Sequence, residues 1–391
     1  MPGPLVYADH HATTPVRPEV TEAMLPWLTG LAANPSSVHA PGRAARRAVE
    51  EARENVARLL GASPREIVFT SGGTESVVLA VRGAAFAARE ADPGRRRVAV
   101  TAVEHASVRE AALGLAPLGF EPAEVPVDRN GRPRDGAFEP FLDGGTAVVS
   151  AILASNETGV VFHGLPLLSG RARRAGVVVH TDAVQAVGKV PVEVGSLGVD
   201  LLSLSAHKLG GPKGAGALWV RQGVKLVPLQ KGGGQERGRR GGTEDVAALV
   251  GLGAAAGIVS ARMAAESAAV RSLRDRFEAG LEARIPGARV NGREGEPGDR
   301  LPTVTSATFP GADGEVLLAA LDLAGVAASA GSACAAGTTA PSRILLALGL
   351  STVQARATLR FSFGWSSTDQ DVDRLLELLP PLVSRASGGR A

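Results

Sequence analysis

Two side chains in this sequence can form a covalent bond with a small molecule, and both stand out from their surroundings. The chain holds only five lysines, Lys189, Lys208, Lys213, Lys225 and Lys231, and otherwise uses arginine for positive charge. A primary amine can become a neutral nucleophile and form an imine with an aldehyde, which a guanidinium cannot. Lys208 lies in Ser205-Ala206-His207-Lys208, directly after the apolar run Leu201-Leu202-Ser203-Leu204. A lone lysine is more often a surface charge, so its company decides the reading. The second residue is Cys334, the chain's only cysteine, in Gly331-Ser332-Ala333-Cys334-Ala335-Ala336-Gly337. Small neighbours give a thiol little to pack against, which favours an accessible, reactive sulfur over a structural one.

Several other polar residues follow apolar runs in the same way. Ile67-Val68-Phe69-Thr70 leads into Ser71-Gly72-Gly73-Thr74 and then an apolar helix from Ser76 to about Ala88. Free N–H groups at such a helix start, with the Thr74 hydroxyl, suit an anion such as phosphate. Val98 to Thr101 is followed by Glu104-His105, Ala147 to Leu153 by Ser155-Asn156, and Val177 to His180 by Asp182 and Gln185. A carboxylate leaving an apolar run is costly without a cation, so Asp182 needs a positively charged partner. Arg360, inside the apolar strand Thr358 to Gly364, needs an anion. A substrate carboxylate and an internal salt bridge are equal candidates. His10 and His11 point apart as neighbours and have no third ligand near in sequence, so they read as turn or cleft lining and no metal site is expected.

The elements that must carry these residues are strands alternating with helices. This pattern predicts an α/β fold with a mostly parallel sheet. In such a sheet the polar strand ends lie along one edge, where ligands bind. Helices are expected at Pro18 to Leu28, Pro41 to Leu60, Gly314 to Leu323 and Val372 to Val383. Thr243 should cap a helix from about Asp245 to Ala268, a further helix should run from Arg271 to Ile285, and Asp369 should cap the last one. Residues 15–255 then form a large domain, with 1–14 and 256–391 in a smaller one. The Gly/Arg-rich stretch Lys231 to Glu244 reads as a binding loop or subunit contact.

Composition narrows the classes. The chain has 391 residues, 45% hydrophobic and 21% charged, with a net charge of +3. These values fit an ordinary globular protein and argue against nucleic-acid binding. No signal peptide and no apolar run of membrane-span length are read. One cysteine rules out an internal disulfide framework and suggests a reducing, cytoplasmic setting.

Taken together, these segments resemble the cysteine desulfurases, pyridoxal-phosphate enzymes of fold type I in the class V aminotransferase group. The likeness rests on Ala12-Thr13-Thr14, Asn34 to His39, Thr70 to Glu75, Glu104-His105, Asn156-Glu157-Thr158-Gly159, Asp182 to Gln185, Ser205 to Lys208, Gly232 to Thr243, Gly331 to Cys334 and Leu359-Arg360. The Gly-Ser-Ala-Cys form matches the nitrogen-fixation and housekeeping group. The resemblance implies a large domain with a seven-stranded-type sheet and a smaller α+β domain. It implies pyridoxal 5'-phosphate bound covalently by Lys208, its ring nitrogen paired with Asp182 and its ring stacked on His105. Asn156 and Gln185 would bond the phenolic oxygen. Gly73, Thr74, Ser205 and His207 would hold the phosphate, with Thr243 reaching in from the other subunit of a homodimer. Arg360 and Asn156 would bind the carboxylate of L-cysteine. Lys208 would move protons, and Cys334 would take the sulfur as a persulfide. From there it would pass to a sulfur acceptor or iron–sulfur scaffold protein, or toward tRNA thiolation, and Cys334 could transiently ligate a cluster. Neither nucleic acid nor membrane is expected as a direct partner. Two rivals stay open: a selenocysteine lyase or other class V aminotransferase, and a catalytically silent scaffold of this fold.

Overall fold

The computed structural model describes residues 5–30, 32–296, 298–330 and 340–388. The apolar runs form a central sheet of seven strands: β1 (Ile67–Thr70), β2 (Arg97–Thr101), β3 (Glu121–Val125), β4 (Thr146–Ser150), β5 (Val178–Asp182), β6 (Leu201–Ser205) and β7 (Gly216–Val220). Their spatial order is β1-β7-β6-β5-β4-β2-β3. Only β7 runs against its neighbours β1 and β6, and the remaining pairings are parallel. Both faces are covered, so successive residues of one strand enter different cores. Ile67 and Phe69 join one apolar cluster and Val68 the other, and Leu202 and Leu204 are separated from Leu201 in the same way.

Two features of this sheet differ from the sequence reading. Strand β3 contains Pro122 between charged residues, so no apolar run marks it. It lies at the sheet edge, where a proline's missing N–H is tolerated. The strict strand–helix alternation also fails between β6 and β7, which are joined by residues 206–215 with only a 3-10 turn, Ala206–Lys208. That connection is tight. A Cβ on Gly216 would lie 2.6 Å from the Gly72 carbonyl carbon, so β7 can pass the turn after β1 only as glycine.

A second sheet of four antiparallel strands, β8 (Arg289–Val290), β9 (Val304–Thr308), β10 (Ser329–Ala330) and β11 (Thr358–Ser362), has the order β10-β11-β9-β8. Its core is built around Phe277, Phe309, Phe361 and Phe363. The start of the chain joins this part: Val6–Tyr7 pairs in parallel with Val326–Ala327.

Among the helices that pack on these sheets are α1 (Ala40–Leu60), α2 (Gly73–Ala91), α3 (Ala106–Leu113) and α4 (Val246–Arg284). The two helices expected between Asp245 and Ile285 are one, α4. No proline or glycine interrupts Ala268-Ala269-Val270-Arg271, so the change in composition there marks a change of packing partner and not a break. Residues up to Val259 pack in the first core and those from Val270 in the second. By length and composition alone α4 could cross a membrane, contrary to the sequence reading, but 56% of its most apolar window is buried inside the protein. Its N-cap is Asp245, which accepts from the Ala248 N–H at 3.0 Å, and not Thr243. The last helix, α5 (Asp369–Ala386), is likewise capped by Thr368, with Asp371 completing a capping box. Asp369 is its first helical residue.

Candidate active site

The carboxyl ends of β1, β2, β4, β5 and β6 surround one cavity of about 600 Å³. Gly73, Thr74, His105, Asn156, Asp182, Gln185, Ser205, His207, Lys208 and Arg360 all border it. These residues are scattered from one end of the sequence almost to the other, and the parallel sheet gathers most of them because parallel strands end on one edge. Thr243 does not border the cavity of its own chain and is exposed. Cys334 lies outside the described residues, although Ala340 and Pro341, shortly after it in sequence, border the cavity.

Lys208 closes the 3-10 turn after β6, which turns its amine back across the strand ends. Its Nζ donates to the carbonyls of His11 and Ala12, the latter at 2.7 Å. His11 therefore has a backbone role at the site. Its ring bridges Thr303 Oγ1 at 2.8 Å and the Asn156 carbonyl at 3.2 Å, and burial holds its pKa well below the usual histidine value. The Gln185 amide nitrogen donates to the same His11 carbonyl at 3.0 Å. Behind it the Lys189 amine donates to the Gln185 carbonyl at 2.9 Å, and burial together with the charge of Lys208 lowers that amine to about 7.

Asp182 is the last residue of β5 and is buried. Its pKa is raised, because burial outweighs the charges of His105 and Lys208 and the Val184 N–H, donated at 2.9 Å, which pull it down. His105 is the N-cap of α3, and its Nδ1 accepts from the Ser107 N–H at 3.1 Å. His207 meets Thr13 Oγ1 through Nδ1 at 3.2 Å, and burial plus the nearby Lys208 lowers it to about 4.

The head of α2 has the makings of an anion site. Gly72 caps it with no side-chain acceptor, so the first N–H groups of a long helix are not occupied by a capping side chain. A Cβ on Gly73 would lie 3.0 Å from Val184 Cγ2 and 3.5 Å from Ser205 Cβ, which shows how closely the turn meets β6. Glu75 in this first turn would repel an anion, but its carboxylate is paired with Arg240 at 2.8 Å.

Arg360 is 2% exposed and reaches the cavity from β11. Of the two sequence candidates for its anion, the internal one is present: Nη2 meets Asp9 Oδ1 at 2.9 Å. Nη1 donates to the Asn156 carbonyl at 3.2 Å, and Nε is buried without a partner among the described residues. Among the described residues Asn156 Oδ1 is also buried without a partner. Such groups are uncommon in a folded protein unless something else completes them. A phosphate-binding helix end, a buried carboxylate for a ring nitrogen, an amine for an aldehyde and unfilled polar atoms on the wall together fit pyridoxal 5'-phosphate. One residue on the wall, Glu104, has no role of its own in the sequence reading, where it only opens a helix. The signal for it is a carboxylate set between an apolar strand and a histidine.

A family model for class V aminotransferases matches residues 6–375. A cysteine desulfurase of Cereibacter sphaeroides is 46% identical over 97% of this chain and 96% of its own length. An IscS-like cysteine desulfurase of Mycobacterium tuberculosis is 43% identical over 98% of this chain and 97% of its own. A solved NifS-like protein superposes with a TM-score of 0.88 at 33% identity, covering 97% of this chain and all of that one. Both sequence and architecture agree over nearly the full length, and the chain belongs to the class V aminotransferase family, within its cysteine desulfurase group.

Proposed function

We propose that this chain removes sulfur from L-cysteine, yielding alanine and a persulfide on Cys334. The observation that supports this most is that the Lys208 amine, the buried Asp182 and the open head of α2 border one cavity. When bound, pyridoxal 5'-phosphate supplies an electron sink for negative charge at the substrate α-carbon. The protein supplies placement and charge. Lys208 would hold the cofactor through its amine and would carry a proton to and from the substrate α-carbon. Asp182 would pair with the ring nitrogen, with His105 beside the ring. Gln185 and Asn156 would serve the phenolic oxygen. Gly73, Thr74, Ser205 and His207 would hold the phosphate, joined by Thr243 of the partner subunit in a homodimer.

Arg360, held in line by Asp9, receives the substrate carboxylate together with Asn156. The Cys334 thiolate attacks the substrate sulfur. The new S–S bond forms as the carbon–sulfur bond breaks, and the electron pair left on carbon takes up a proton to give alanine. The overall change is L-cysteine plus thiol to alanine plus persulfide, with no added oxidant. We read 15–255 as the cofactor-holding domain and 1–14 with 256–391 as the one carrying Cys334 and Arg360, in keeping with the change of core along α4. The use of the sulfur is read as iron–sulfur cluster assembly or tRNA thiolation through a protein acceptor, in the cytoplasm, where the single thiol stays reduced.

The test is mass spectrometry of the purified protein after incubation with L-cysteine. We expect one added sulfur on the Cys334 peptide and an equal amount of alanine. Cys334→Ala should keep the cofactor and form no persulfide, and full activity in that variant would refute the mechanism.

A further inference from the structure

The site holds a second amine, and it has been given no task. Lys189 and Lys208 both border a small cavity of about 50 Å³, and Lys208 borders the large one as well. An amine drawn in from water needs a partner, most often a carboxylate. The carboxylate on this small cavity, Glu266, is already held by both ends of the Arg17 guanidinium, at 2.9 and 2.6 Å. Among the described residues Lys189 forms no salt bridge. Its amine goes to Gln185 instead, to the carbonyl at 2.9 Å and to the side-chain Oε1 at 3.4 Å.

The backbone that carries this amine is fixed from two directions. Gly188 has a φ of +79°, and a Cβ there would meet Leu209 Cδ2 at 2.7 Å and Val259 Cγ1 at 2.8 Å, so the turn takes only glycine. The Lys189 carbonyl accepts from Ser267 Oγ on α4 at 2.7 Å.

A glutamine amide has two ends of similar shape and opposite hydrogen-bonding character. For Gln185 both ends are determined. Oε1 faces the Lys189 amine, a donor, and Nε2 donates to the His11 carbonyl at 3.0 Å, an acceptor only. Turning the amide over would set oxygen against oxygen at one end and hydrogens against hydrogens at the other. In the orientation observed, one hydrogen of Nε2 goes to His11, leaving the second for the large cavity that Gln185 borders. An amine keeps hydrogens for both Gln185 oxygens whether or not it is charged, so a pKa lowered to about 7 does not undo the arrangement.

We propose that Lys189 is a positioning residue, whose bond to Oε1 keeps Gln185 turned as a hydrogen-bond donor toward the phenolic oxygen of the cofactor. This rests on the reading that the cavity holds pyridoxal 5'-phosphate. It gives the two amines separate tasks, one toward the aldehyde and one toward the residue beside it.

A pH titration of the visible absorbance of the purified holoenzyme tests this. A donor on the phenolic oxygen favours its deprotonated form, so losing the donor raises the titration midpoint. Lys189→Met removes the amine hydrogens and keeps a long side chain. It should raise the midpoint by roughly half a unit to one unit, the worth of one neutral hydrogen bond. Placed in a Gln185→Leu background, the same replacement should produce less than about half of that shift, because the residue it acts through is gone. An equal shift in both backgrounds would mean that Lys189 acts by its charge and not through Gln185, and would overturn the proposal. An unmoved midpoint in Lys189→Met would do the same. Should Lys189→Met fail to fold, Lys189→Gln takes its place under the same two criteria. If the wild type as purified shows no visible absorbance from the cofactor, the functional reading itself fails, and the proposal with it.

Discussion

Neighbouring residues of β11 show two ways of building a protein interior. Phe361 points into the second core, where its ring meets Phe277 at 5.1 Å and Phe309 at 6.4 Å between centroids. Arg360, one residue earlier, points the other way and borders the cavity. The phenylalanines belong to one buried apolar cluster. Around the cavity, Arg360 Nε, Asn156 Oδ1 and Glu104 Oε2 are buried without partners among the described residues. Polar groups left in this state lower stability, so a cluster of them marks the place where the protein is built for something other than itself.

The comparison can be broken by mutation. Phe361→Ala should be the most damaging to stability, by about 3–5 kcal/mol, since it opens a large hole in a packed core. Urea unfolding would measure it, and a loss below about 1 kcal/mol would mean the second core is loosely packed.

The cavity should respond to pH instead. Glu104 titrates at about 8 in the folded chain against a reference value of 4.5. The folded state therefore holds this proton more tightly than the unfolded one. The associated stability is complete below 4.5 and is lost as pH rises toward 8. Relative to Glu104→Gln, the wild type should thus lose stability between about pH 5 and about pH 9, as unfolding midpoints would report. A constant difference would mean that Glu104 is ionised throughout.

Arg360→Lys keeps a charge on β11 but not the planar fork that Asp9 and the Asn156 carbonyl hold. The loss of a charged hydrogen bond, about 1.5–3 kcal/mol, should raise KM for L-cysteine by roughly ten- to a hundredfold. An unchanged KM would show that the substrate carboxylate binds elsewhere. Thr368→Ala, far from the cavity, should cost about 1 kcal/mol through the lost cap of α5 and leave KM unchanged.

The same contrast explains what is legible in the sequence. Buried parallel strands announce themselves as apolar runs, and the residues that end them follow by simple adjacency. That is how Lys208, Asp182, Asn156 and His105 can be gathered without a structure. β3 carries no such signal, because Pro122 and two glutamates occupy an edge strand that has to bury little. The unity of α4 is hidden because its two halves face different cores, so the apolar stripe shifts midway without any helix breaker. Caps are misplaced by a residue or two, since Thr243, Asp245, Thr368 and Asp369 are all good N-cap types and only backbone geometry selects among them. Glu104 escapes notice because a glutamate near a helix start is commonplace. What sets it apart is its burial on the wall of the cavity, which exists only once the sheet has formed.

The central claim is that one amine, that of Lys208, takes the aldehyde of the cofactor at the edge of the large sheet. Borohydride reduction of the purified protein followed by peptide mass mapping tests it directly. The account predicts a single reduced pyridoxyl adduct, on the peptide containing Lys208. An adduct on Lys189 or another lysine, or none at all, would contradict it.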